Sequence, residues 1–142
     1  MIFLLLTGIG ITVCAAGSTY YVGNFNNKVF SINSDHIFPT ARVKASSQSQ
    51  AGYVCTYYST SCPAGGRMTY AFVTSSDGDR VSELKYFGTT GDYTISYNDG
   101  CGTVGVSYKL GIRNRSCNPS TATYYTVTAS AVWCPDKAGV IE

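Results

Sequence analysis

The chain is expected to fold as an all-β domain, an antiparallel β-sandwich or small barrel braced by disulfides. Three observations carry that expectation. Apolar and polar residues alternate with period 2 through most of the chain after residue 17, the pattern of half-buried strands. Turn signals rich in Gly, Asp, Asn and Pro recur at intervals of about 8–14 residues, the rhythm of short strands in a sandwich or barrel. Six cysteines stand in a chain of 142 residues of which only 13% are charged, about half the usual ~25%. Ser, Thr, Asn, Gly and Tyr take the place of charge, a mixture common in extracellular β proteins.

Residues 1–16, MIFLLLTGIGITVCAA, are uncharged and mostly apolar, and they are too short to cross a bilayer, which takes ~20 residues. Ala15, Ala16, Gly17 and Ser18 supply the small residues of a cleavage site, so a secretory signal peptide cut after Ala15 or Ala16 is expected. No Lys or Arg precedes the apolar run; a free α-amino group has to carry the positive charge there, which leans toward a eukaryotic source. An N-terminal apolar anchor running on to Val22 is the rival reading, and bulky Val13 disfavours acylation of Cys14. Residues 17–142 then make a single β domain without repeat or linker, long enough to bury roughly two-thirds of its unfolded surface.

Along that domain the spacing predicts strands at residues 18–22, 28–32, 40–44, 52–57, 67–74, 81–87, 92–97, 103–113 and 123–134. The last is the clearest, with Tyr125, Val127, Ala129, Ala131 and Trp133 on one side and Thr126, Thr128 and Ser130 on the other. In 103–113, Val104, Val106, Tyr108, Leu110 and Ile112 share a face; in 92–97, Tyr93, Ile95 and Tyr97 do; in 67–74, Met68, Tyr70 and Phe72 do. β-Branched and aromatic residues dominate all four, as strands prefer. Turns are expected at 62–66, 76–79, 89–92 and 98–100, and residues 45–51 read as a polar loop or one turn of helix. A hairpin through Phe87-Gly88 into 92–97 would leave Glu83 and Lys85 on its outer side.

Cysteine arithmetic follows from the leader. Cleavage removes Cys14 and leaves five, an odd number in an oxidising compartment. Cys55 and Cys62, close in sequence, are expected to pair, and Cys101 with Cys117, which leaves Cys134 free or bonded to a second chain as a disulfide-linked homodimer. Such bridges typically add about 2–4 kcal/mol. No C-x₂₋₄-C pair and a single histidine exclude a zinc site of the usual spacing. No cofactor-binding pattern is present.

Catalytic signals are sparse. His36 is the only histidine and reads as a loop residue before Phe38-Pro39. Asp35 beside it is no triad, because neighbours in an extended chain point apart. Glu83 with Asp92 is the one carboxylate pair the proposed hairpin brings together. Asp77-Gly78-Asp79 offers two oxygens to a calcium ion but reads better as a tight turn. The net charge of +2, without a basic run, argues against nucleic acid.

Two short stretches, Asp79-Arg80-Val81 and the Cys- and Tyr-rich residues 52–62, look like pieces of the small secreted guanyl-specific ribonucleases. That family needs two catalytic histidines and a glutamate. The one histidine here lies far N-terminal of either position, so the likeness does not imply the activity; a catalytically dead relative, of the kind found among secreted fungal effectors, fits.

Twelve tyrosines are the remaining feature. Tyr57-Tyr58 and Tyr124-Tyr125 are adjacent pairs, so one member of each should point outward from a strand. Tyr57, Tyr58 and Tyr124 are therefore the expected binding residues, since clustered exposed aromatics commonly form partner surfaces. Asn114-Arg115-Ser116 matches a glycosylation sequon, meaningful only in a eukaryotic source. The leading functional expectation is a small secreted, non-catalytic binding module, effector- or toxin-like, for an extracellular protein or glycan, with membrane contact only if the N-terminal segment is kept. A structural subunit of an extracellular or membrane-attached assembly and a small secreted hydrolase such as a ribonuclease are the alternatives.

Overall fold

Alternation of side chains along a strand puts every second residue on one face, and the chain resolves that pattern into two sheets. The computed structural model describes residues 21–30, 34–62, 69–115 and 126–137. Among them are nine strands and no helix: β1 Tyr21–Phe30, β2 Ser34–Ile37, β3 Arg42–Val43, β4 Gln50–Thr60, β5 Thr69–Ser75, β6 Lys85–Tyr86, β7 Gly91–Ser96, β8 Ser107–Asn114 and β9 Val127–Cys134. The first sheet has the order β1-β9-β4-β7 and the second β2-β8-β5-β6, with β3 beside β8 on the β2 edge. All pairings are antiparallel. The two sheets pack face to face as an antiparallel β-sandwich.

Its core is the sum of the inward faces. β9 contributes Val127, Ala129, Ala131 and Trp133, and β4 contributes Ala51, Tyr53 and Cys55. Opposite them stand Ala71 and Val73 of β5 and Tyr108, Leu110 and Ile112 of β8. Trp133 lies directly across from Tyr53 in the β4–β9 ladder. Tyr53 in turn packs on Phe87 at 4.9 Å between ring centroids. Burying one such ring contributes roughly 1.5–3 kcal/mol, so this aromatic layer is a main source of cohesion between the sheets.

Two expectations are corrected. In β5, Tyr70 and Phe72 share a face as expected, and that face is the outer one: Ala71 and Val73 face the core, because they sit opposite Ile112 and Leu110 of β8. Phe72 is buried on the outer face instead, its ring laid where a Cβ on Gly111 would stand. The strand predicted over 103–113 begins only at Ser107; Gly102 and Gly105 take φ of 78° and 79°, which turns the chain and leaves Val104 and Val106 exposed. The hairpin through Phe87-Gly88 forms only at its base, where Ser82 bridges Tyr97 antiparallel; towards its tip it opens, since β6 pairs with β5 in the second sheet while β7 pairs with β4 in the first. Glu83 is exposed and meets Ser96 twice, its amide donating to the Ser96 carbonyl at 3.0 Å and its carboxylate accepting from the Ser96 amide at 2.9 Å.

Residues 45–49 form a loop rather than a helical turn, and the 76–79 turn closes with Gly78 at φ 101°. The predicted leader, the 62–66 turn after Cys62 and the 123–125 start of the last predicted strand lie outside the described residues.

Candidate functional site

The outer face of the second sheet carries a transverse row of four side chains. Asp35 of β2 sits opposite Arg113 of β8, Arg113 opposite Tyr70 of β5, and Tyr70 opposite Tyr86 of β6. Directly paired residues project to the same side, so the four line up across the full width of the sheet. Arg113 donates from Nε and Nη2 to the two carboxylate oxygens of Asp35, a bidentate fork. That guanidinium holds the Asp35 carboxyl below the usual carboxylate range, and Asp35 in turn raises Arg113. Asp35 and Arg113 keep 37% and 22% of their side-chain exposure. Beyond them the Tyr70 and Tyr86 rings meet edge to face at 5.9 Å and 62°.

The row is held from beneath. The Arg113 guanidinium lies over the Phe72 ring at 5.7 Å. Phe72 rests against Gly111, where any side chain would overlap the ring. Tyr86 folds back so that its hydroxyl occupies the space over Gly88. Rotamers locked in this way cost less entropy to present to a partner.

A second polar cluster sits inside the fold. Lys44, fully buried, donates from Nζ to Asp136 Oδ1 at 2.9 Å and to the Pro135 carbonyl at 3.2 Å, and it lies over the Tyr97 ring at 5.1 Å. Asp136 accepts from the Ala45 amide at 2.8 Å and from the Ser46 amide at 2.9 Å, besides the Ser46 hydroxyl. Burial alone would raise its carboxyl; the donors from Ser46, Ala45 and Lys44 outweigh that and lower it. Tyr97, its own phenol pushed up chiefly by burial, donates to the same Pro135 carbonyl at 2.8 Å. This cluster ties the loop after β3 to the end of β9 and works as structure.

The expected binding tyrosines separate. A register shift between Cys55 and Tyr57 in the β4–β9 ladder marks a bulge. The bulge lets Cys55 and Tyr58 both turn inward while Tyr57 points to solvent. Tyr58 shares a hydrogen bond with the Thr69 hydroxyl at 3.2 Å and packs edge-on to Phe87. Tyr57 is thus exposed on the first sheet, away from the row on the second, and Tyr124 lies outside the described residues.

The cysteine pairings expected from sequence spacing do not form. Cys55 and Cys101 carry free thiols. What reads as a loop after Cys55 is strand as far as Thr60, and extended chain of that length carries its ends well beyond the ~7 Å a bridge allows. Cys101 is free, and Cys117, its expected partner, lies outside the described residues. Cys134, expected as the spare thiol, is not among the free ones. Burial pushes the Cys55 thiol up to about 11, which keeps it protonated near neutral pH and a poor nucleophile.

His36 belongs to strand β2 rather than to a loop, opposite Ile112, with its ring edge-on to Phe38 at 4.7 Å. Asn114 of the sequon is fully buried in β8, between β2 and β5, and is closed to modification in the folded chain. No family model matches the chain, and no curated protein matches its sequence.

The sequence alone does not reveal the row, because periodicity leaves open which face of β5 carries Tyr70, and Asp35 stands out there only as the neighbour of His36. The signal available was Gly111 in the middle of an alternating strand, which marks a close approach by a neighbouring ring.

Proposed function

We propose that this chain is a secreted, non-catalytic binding module that presents a fixed polar and aromatic face to an extracellular protein or glycan. The observation that carries this reading is the Asp35–Arg113–Tyr70–Tyr86 row, which spans a sheet face and is braced from below by Phe72 and Gly111. A fork of this kind on an exposed face contributes little to stability, so its preorganisation suits recognition better than folding.

Export through residues 1–16 and disulfide bracing at Cys62 and Cys134 belong to the same reading. Leader removal would take Cys14 away and leave five cysteines, an odd number, and the unmatched one is proposed to link two copies as a disulfide-bonded homodimer. Non-reduced intact mass tests this directly: a dimer starting near residue 16 or 17 supports it, and a monomer that keeps Met1 favours the anchored, structural alternative.

The binding reading is tested with the labelled protein on intact cell surfaces, untreated, protease-treated or periodate-oxidised. Retention sensitive to either treatment is expected. No retention on any surface would contradict a binding role.

A further inference from the structure

We infer that the outer face of the second sheet takes a neutral pyranose of a glycan chain, with Tyr70 and Tyr86 as the stacking walls and the Asp35–Arg113 fork as the hydroxyl clamp. The inference rests on the binding-module reading and narrows its partner. Two rings 5.9 Å apart and inclined at 62° make a corner, which suits one compact ring better than a broad flat surface. A pyranose offers a C–H face to such rings and equatorial hydroxyls at its rim.

Hydrogen-bond capacity points the same way. Of the five guanidinium N–H groups of Arg113, two are directed at Asp35, which leaves three donors. The carboxylate has about four lone-pair sites, two of them used, which leaves about two acceptors. A neutral vicinal diol accepts from the first and donates to the second without breaking the ion pair. Within the fork, carboxylate and guanidinium neutralise each other; Arg115 and Arg80 add positive charge that also acts on Asp35, so an acidic sugar is the competitor the test has to separate. Phe72, buried under Arg113, fixes the fork and does not reach the ligand.

The test uses the full secreted protein on an array of neutral hexose and N-acetylhexosamine oligosaccharides, followed by calorimetric titration of the strongest binder. Tyr70→Ala and Tyr86→Ala should each weaken binding by about tenfold or more. Arg113→Lys, which keeps the charge and loses the fork, should also weaken it at an unchanged melting temperature. Tyr57→Ala, on the other sheet, should leave it unchanged. A blank array, capture of acidic sugars only, or neutral-sugar binding indifferent to all three row variants would overturn the inference. Protease-sensitive, periodate-insensitive retention on cells with a blank array would sink the sugar while leaving the binding module standing.

Discussion

Two ion pairs in this domain use an aspartate and a base from distant parts of the chain, and their surroundings give them different work. Lys44 and Asp136 retain 0% and 2% of their side-chain exposure, whereas Arg113 and Asp35 retain 22% and 37%. The buried aspartate is saturated by Lys44, Ser46 and the Ala45 amide, so nothing is left over for a partner. The exposed pair satisfies itself with one fork and keeps donors and acceptors facing water. Depth thus separates a structural tie from a pair whose spare hydrogen-bonding groups remain open to solvent. An uncompensated charge in the interior is costly to leave unpaired, while one at the surface is readily hydrated.

Breaking the buried pair should have the largest effect. Lys44→Ala strands the Asp136 carboxylate and should lower unfolding stability by about 3–5 kcal/mol, measured by urea denaturation. A loss under ~1 kcal/mol would put the pair on a par with a surface contact. Next comes Gly111→Ala, whose methyl would overlap the Phe72 ring and should cost about 1–3 kcal/mol by overpacking. An unchanged melting curve would mean that Phe72 does not depend on that space.

The pH dependence discriminates between the pairs too. The Asp136 carboxyl is lowered on folding, so its contribution is fully present above the unfolded value of about 3.9. It is lost as pH falls through the lower folded value. Melting temperature should therefore drop on acidification below about pH 4, and Asp136→Asn should flatten that drop. An equal drop in the variant would assign the acid sensitivity elsewhere. Asp35 is lowered in the same direction, but solvent screens it, and Arg113→Ala should change stability by under ~1 kcal/mol. A loss as large as that of Lys44→Ala would make the outer pair structural.

Much of the sandwich was legible in the sequence, because alternation survives wherever one face is buried. Val127, Ala129, Ala131 and Trp133 declared the inward face of β9, and Ile95, with Tyr97 just past the strand's end, that of β7. The candidate site was not legible, for three physical reasons. In β5 both faces are apolar, Ala71 and Val73 on one side and Tyr70 and Phe72 on the other, so periodicity could not choose between them. The bulge after Cys55 shifts Tyr57 and Tyr58 out of simple alternation. The row itself depends on cross-strand register, and neither the pairing of β2 with β8 nor that of β6 with β5 is written in any local run of residues.

The most direct measurement of the central claim is paired: surface binding and thermal stability of the Tyr70→Ala/Tyr86→Ala double variant beside the wild type. The outer row as a recognition face predicts binding lost by at least about tenfold with the variant still folded and cooperatively melting. Full binding by a folded double variant would contradict it and move the recognition surface to another part of the sandwich.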